Sequence, residues 1–143
     1  MHAAPAPVRR RPPLPALLAV PLAVLSALVT AFSGVIALAF SNGRYDDGGW
    51  LVVAVPAILA GLLLVGALLL LLGHSWWAVS LPAAALAAAV GWAVLAAGLG
   101  EDSGGALVLA WALPAGTAAL SALPVVRRWT AARRLQRSST DRG

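Results

Sequence analysis

"WLVVAVPAILAGLLLVGALLLLL", residues 50–72, decides how this chain is built. The stretch has no Asp, Glu, Lys, Arg or His, and its Leu and Val residues leave no polar face on any helix drawn through it. A helix that is apolar all round belongs in a large protein core or in a bilayer. About 20 such residues cross a hydrocarbon layer of about 30 Å. Three more segments answer the same description: Leu14–Phe40, 76–99 and 106–126.

The rest of the composition agrees. Of 143 residues, 61% are hydrophobic and only 10% charged, against roughly 25% charged in a soluble domain. So small a sphere cannot hide that much apolar surface, so the bilayer has to serve as solvent. Transmembrane strands would need short alternating segments, which are missing here. Backbone N–H groups in hydrocarbon must be paired within their own segment, which leaves helices. The expected fold is all-α, an up-and-down bundle of four transmembrane helices at 14–40, 50–72, 76–99 and 106–126. A disordered Pro-rich and basic tail (1–13) would precede it, and a basic tail (127–143) would follow.

The links "SNGRYDDGG", "GHS" and "GEDSGG" are short, and short links make sequential helices antiparallel neighbours. All ten basic residues are arginines, a usage that suggests GC-rich bacterial coding. Arg9, Arg10 and Arg11 precede the first segment, and Arg127, Arg128, Arg133, Arg134, Arg137 and Arg142 follow the last. With four spans, these nine share one side, which the positive-inside rule makes the cytoplasm of a bacterial plasma membrane. Asp46, Asp47, Glu101 and Asp102 then face outward. Ala37-Leu38-Ala39 resembles a signal-peptidase site, but an h-region runs only about 7–15 residues and this segment is far longer, so a retained anchor is expected. At about 1.5 Å per residue the segment is about 40 Å long and must tilt, kink or project, with Pro21 as the candidate kink.

Each segment carries a proline: Pro21, Pro56, Pro82 and Pro114. These are hinges of a broken-helix binding site, or the ordinary prolines that membrane helices tolerate when neighbours satisfy the freed carbonyl. Trp50, Trp76, Trp77 and Trp129 stand at segment ends, where an indole is half in lipid and half in water, and are expected to be interface anchors. Trp92 and Trp111 lie deeper, and their N–H groups would seek a partner on another helix. Small residues recur every fourth position at Ala19, Ala23, Ala27 and Ala31 beside Ser26, Thr30 and Gly34. They do so again at Ala85, Ala89, Ala93 and Ala97, and at Ala83, Ala87 and Gly91. Such ladders let helix backbones approach closely, so helices 1 and 3 are expected to be the more buried and helix 2 the more lipid-exposed.

Catalytic signals are sparse. The segments hold no ionisable residue of the kind that marks an ion path or proton relay. There is no Cys for disulfide, thiol or Cys-metal chemistry. His74 stands alone in "GHS", without the second ligand a metal needs or the third group that would orient it as a base toward Ser75 or Ser80. No cofactor is expected. The glycine pairs lack the strand-to-helix setting of a phosphate cradle, and no folded basic module suggests nucleic acid. The segment "VVRRWTAARRLQRSSTDRG" either continues helix 4 or lies flat with its arginines reaching anionic lipid headgroups. "DDGGWLVVAVPA" and "EDSGGALVLAWALPA" echo each other. They are two related hairpins, or a convergent use of acids at helix starts and glycines at turns. If helices 2 and 4 start side by side, Asp46, Asp47, Glu101 and Asp102 form an outer cation cluster.

"GHSWWAVSLPAAALAAAVG" (73–91) followed by "LPVVRRW" (123–129) is similar to small four-span integral membrane proteins of actinobacteria. The resemblance implies a fold and no activity. The function expected is that of a non-enzymatic accessory or scaffold in a membrane assembly, with a membrane-protein partner or a second copy of itself. The alternatives are a small oligomeric channel or transporter and, more remotely, a membrane enzyme using the outer acids with a divalent cation.

Overall fold

The computed structural model describes residues 12–40, 50–97 and 104–140, which form five helices and no strand. These are α1 (Leu14–Phe40), α2 (Leu51–Leu71), α3 (Trp77–Ala97), α4 (Gly104–Ala122) and α5 (Pro124–Thr140). α1, α2 and α3 are each long and apolar enough to cross a membrane, and α4 with α5 qualifies as a bent pair.

Close contacts set the register. A Cβ at Gly34, late in α1, would lie 3.3 Å from Pro56 Cβ, early in α2. Late α2 meets early α3 where Gly66 faces Ala78 and Val79, and late α3 meets α4 where Gly91 faces Trp111. Each successive pair is therefore antiparallel. α4 also packs along α1, which closes the four helices into a ring, while α1 and α3 sit diagonally and barely meet.

The buried face of α1 is almost side-chain-free: Ala16, Ala19, Ala23, Ser26, Ala27, Thr30 and Gly34. Lipid tails are as apolar as Leu, so bringing Leu onto Leu gains little in a bilayer, and close backbone approach through small residues holds helices together instead. The larger side chains point outward, Leu28, Phe32, Leu68 and Leu95 among them. Hydroxyls on the buried faces are satisfied within their own helix: Ser26 Oγ donates to Leu22 O at 2.8 Å, Thr30 Oγ1 to Ser26 O at 2.7 Å and Thr117 Oγ1 to Leu113 O at 2.8 Å.

Several expectations need correction. Of the two α3 ladders, Ala83 is buried with Ala87 and Gly91 half-buried beside it, whereas Ala85, Ala89 and Ala93 are exposed. α1, α2 and α3 are buried to the same degree, 28% of the most apolar stretch of each, so α2 is not the outlying helix. Its Ala60, Leu63, Ala67 and Leu70 are as deep as the alanines of α1. Trp92 is 74% exposed and seeks no interhelical partner, while Trp111 leans on Gly91. The expected straight segment 106–126 stops at Ala122. Pro124 has no N–H to donate to Leu120 O and disfavours helical geometry at Leu123. The chain turns by 56° and restarts with Pro124 in the first turn of α5.

Candidate functional site

α2 ends because Gly73 takes φ +69°, a left-handed conformation that costs other residues about 1–2 kcal/mol. His74 N–H then donates to Leu69 O at 2.8 Å and Gly73 N–H to Leu70 O at 2.9 Å, the paired bonds of a Schellman motif. The tight turn at residues 72–76 leads straight into α3, and the Gly73 face and His74 carbonyl form a shelf.

α5 lies on that shelf. Its sequence is amphipathic, with Val126, Trp129 and Thr130 at helical spacing on one side and arginines around the rest. Val126 joins a core cluster with Ala16, Ala19, Ala23, Ala67, Leu70 and Val79, so it is seated among α1, α2 and α3. Trp129 is only 7% exposed, and a Cβ at Gly73 would come within 3.3 Å of its Cη2 and 3.2 Å of Arg133 Cγ and Cδ. Glycine is needed at 73 twice over, for its φ and for this contact.

The arginines complete a clamp. The Arg127 guanidinium stacks over the Trp76 ring at 4.5 Å from its centroid, and Arg133 lies over Trp129 at 5.2 Å. Arg134 Nε donates to His74 O at 2.6 Å, bridging α5 to the turn. Cation–π pairs at exposed sites contribute about 0.5–1 kcal/mol each, so the clamp as a whole is a few kcal/mol. Beneath it, Ser75 Oγ and Trp129 Nε1 are buried without a hydrogen-bond partner.

Trp76 and Trp129 thus belong to one junction, Trp76 half-buried and Trp129 buried, while Trp77 beside them and Trp50 at the start of α2 face outward. Arg127, Arg133 and Arg134 engage the turn or its tryptophans, and Arg128 is exposed. Arg9, Arg10 and Arg11 lie outside the described residues, as do Asp46, Asp47, Glu101 and Asp102 and the outer cation cluster those four acids were expected to form. No carboxylate residue occurs among the described residues, and no group of three or more metal-ligating side chains forms there.

A second feature occupies the other half of the bundle. A cavity of about 470 Å³ is lined by all four long helices. Ser26, Thr30 and Ser33 form one wall, Pro56 and Pro114 project from α2 and α4, and the remaining lining is aliphatic. Ser26, Thr30 and the prolines stand out in the sequence, but Ser33 and the space between these residues do not, because helix composition does not reveal which faces fail to meet.

No protein-family model, curated protein or solved structure matches the chain.

Proposed function

We propose that the protein is a four-span integral membrane protein of the bacterial plasma membrane with both termini cytoplasmic, a non-enzymatic accessory or scaffold component of a membrane assembly. In this reading α1–α4 anchor it and α5 is a rigid basic platform on the cytoplasmic surface. The observation that carries the reading is the clamp. A basic tail needed only for topology has no reason to be helical, buried at Val126 and Trp129, and bonded to the α2–α3 turn. Fixing it in place presents Arg128 to a partner in a defined orientation. Anionic headgroups stabilise the same surface by about 1 kcal/mol per basic residue.

Purification of the full chain from its native membrane in mild detergent tests this. A partner membrane protein should be recovered reproducibly, and Arg128→Glu, at an exposed position outside the clamp, should lose it while leaving the bundle intact. Recovery of the chain alone in both cases rejects the scaffold reading.

The bundle cavity favours a second reading, a small channel or transporter. Its aliphatic lining suits a lipophilic solute better than an ion, since the three hydroxyls already donate to α1 carbonyls. That reading requires solute flux in proteoliposomes that Thr30→Val or Pro56→Ala abolishes.

A further inference from the structure

A groove of about 300 Å³ runs between the turn and α5, lined by Trp76, Arg127, Thr130, Ala131, Arg134 and Leu135. Arg127 and Arg134 are seven residues apart, two helical turns, so both stand on the same side of α5. Neither is a loose surface charge. The Arg127 guanidinium carbon is held over the Trp76 ring at 4.5 Å from its centroid, a contact that uses none of its N–H donors. Arg134 uses Nε on His74 O at 2.6 Å, leaving its terminal N–H groups. Two guanidiniums held in place with unused donors form a binding site whose ordering cost has already been met.

Among the described residues the charge in the groove has no acidic counterpart. The described residues contain no Asp or Glu, and the acid nearest in sequence, Asp141, lies outside them. The groove is also half apolar: Trp76, Ala131 and the exposed Leu135 border it beside the arginines. An anion with hydrocarbon attached fits this pairing of charge and grease, and an inorganic ion does not use it.

We propose that this groove binds the phosphate of an anionic glycerophospholipid, the phosphate between Arg127 and Arg134 and the acyl region against Leu135 and Ala131. The inference rests on the reading of α5 as a membrane-surface helix. It goes further in naming one stoichiometric site rather than a diffuse basic surface.

The test uses the full chain reconstituted in vesicles of phosphatidylglycerol and phosphatidylcholine, extracted into neutral detergent, with retained lipid counted by native mass spectrometry. The unmodified protein should keep phosphatidylglycerol in preference to phosphatidylcholine, at one molecule per chain. Arg127→Gln and Arg134→Gln should each lower retention by about tenfold or more, the loss of a charge-assisted pair. Arg128→Gln, with the same net charge but outside the groove, should lower it by no more than about fivefold, the share of one diffuse charge. Equal losses in all three variants overturn the proposal, as does a wild type indifferent to headgroup. Complete displacement of the lipid by millimolar inorganic phosphate also overturns it, by assigning the groove to the free ion. The headgroup preference of the unmodified chain keeps the test valid if a variant misfolds. A Ser138→Cys label quenched by headgroup-attached quenchers in the same vesicles places α5 at the surface independently. Quenching without phosphatidylglycerol retention removes the groove and leaves the surface reading standing.

Discussion

At Gly66 a Cβ would stand 2.5 Å from the Ala78 carbonyl oxygen, 3.0 Å from its carbon and 3.1 Å from Val79 Cα. All three atoms are backbone, so no side-chain rotation relieves the clash. That carbonyl faces Pro82 four residues on, and Pro82 has no N–H to offer it. The Cα–H of Gly66 approaches the freed oxygen, a weak contact that recurs at helix–helix interfaces. Carbon–oxygen contacts of this kind settle at about 3.3–3.6 Å, so Gly66→Ala must push α2 and α3 apart by about 1 Å. A cost of about 1–3 kcal/mol is expected, read as a lower thermal midpoint in detergent. Gly61, one and a half turns earlier on the same helix, has nothing within 4 Å of its missing Cβ. Gly61→Ala should therefore be neutral, or stabilising by up to about 1 kcal/mol through helix propensity. Equal midpoints for the two variants would show that α2 and α3 do not meet at Gly66. The sequence displays Gly66 and Pro82 but not their partnership, because residues on two helices are matched by register, and register is a tertiary quantity.

The helices themselves were legible where one physical constraint dominates. α1 starts at Leu14 with the apolar run, and the start of α2, its end and the start of α3 each fall within one residue of theirs. Continuous hydrocarbon contact leaves little choice of endpoint. In the fourth segment Val125 and Val126 extend the apolar run past Pro124, so hydropathy and backbone stereochemistry disagree there. Stereochemistry decides, and Val126 is buried as the first docking residue of α5 rather than the last of a span. Likewise, both α3 ladders consist of small residues, so only packing selects Ala83 over Ala85. Pro124→Ala restores a donor for Leu120 O and should straighten the 56° bend. Because the chain has no cysteine, spin labels at Leu71→Cys and Ser138→Cys report on the α2–α5 distance alone. One narrow distribution is expected in the parent, shifting to longer and broader distances with Pro124→Ala. An unchanged distribution would mean that the Arg134–His74 and Arg127–Trp76 contacts hold the bend without the proline.

In the molecule as a whole, the turn at residues 72–76, the start of α1 and the start of α5 share one end, as Ala16, Leu70, Val79 and Val126 share one cluster. α4 therefore has to bring the chain back to that end before α5 begins. Its described residues, Gly104–Ala122, by themselves give about 28 Å at about 1.5 Å each, against a hydrocarbon layer of about 30 Å. If α4 spans, that is close to the full thickness, and the bend at Leu123, where Leu120 O accepts from Leu123 N–H at 3.4 Å in place of the missing Pro124 donor, falls at the edge of the layer. The arginines begin three residues beyond that proline, so carrying α5 into the bilayer would bury five charges at several kcal/mol apiece. Two placements remain open to such a chain. If α4 spans, residue 12 and residue 138 lie on the same side of the membrane. If α4 does not span, three crossings put them on opposite sides. Single cysteines at Pro12 and Ser138, probed with a membrane-impermeant thiol reagent in sealed vesicles of known orientation, separate the two. Both sites should react in inside-out vesicles and be protected in right-side-out ones. Opposite reactivity would reduce the membrane domain to α1–α3, and α4 would then have to lie with α5 against the surface, exposing its apolar Val108, Leu109 and Trp111 to water.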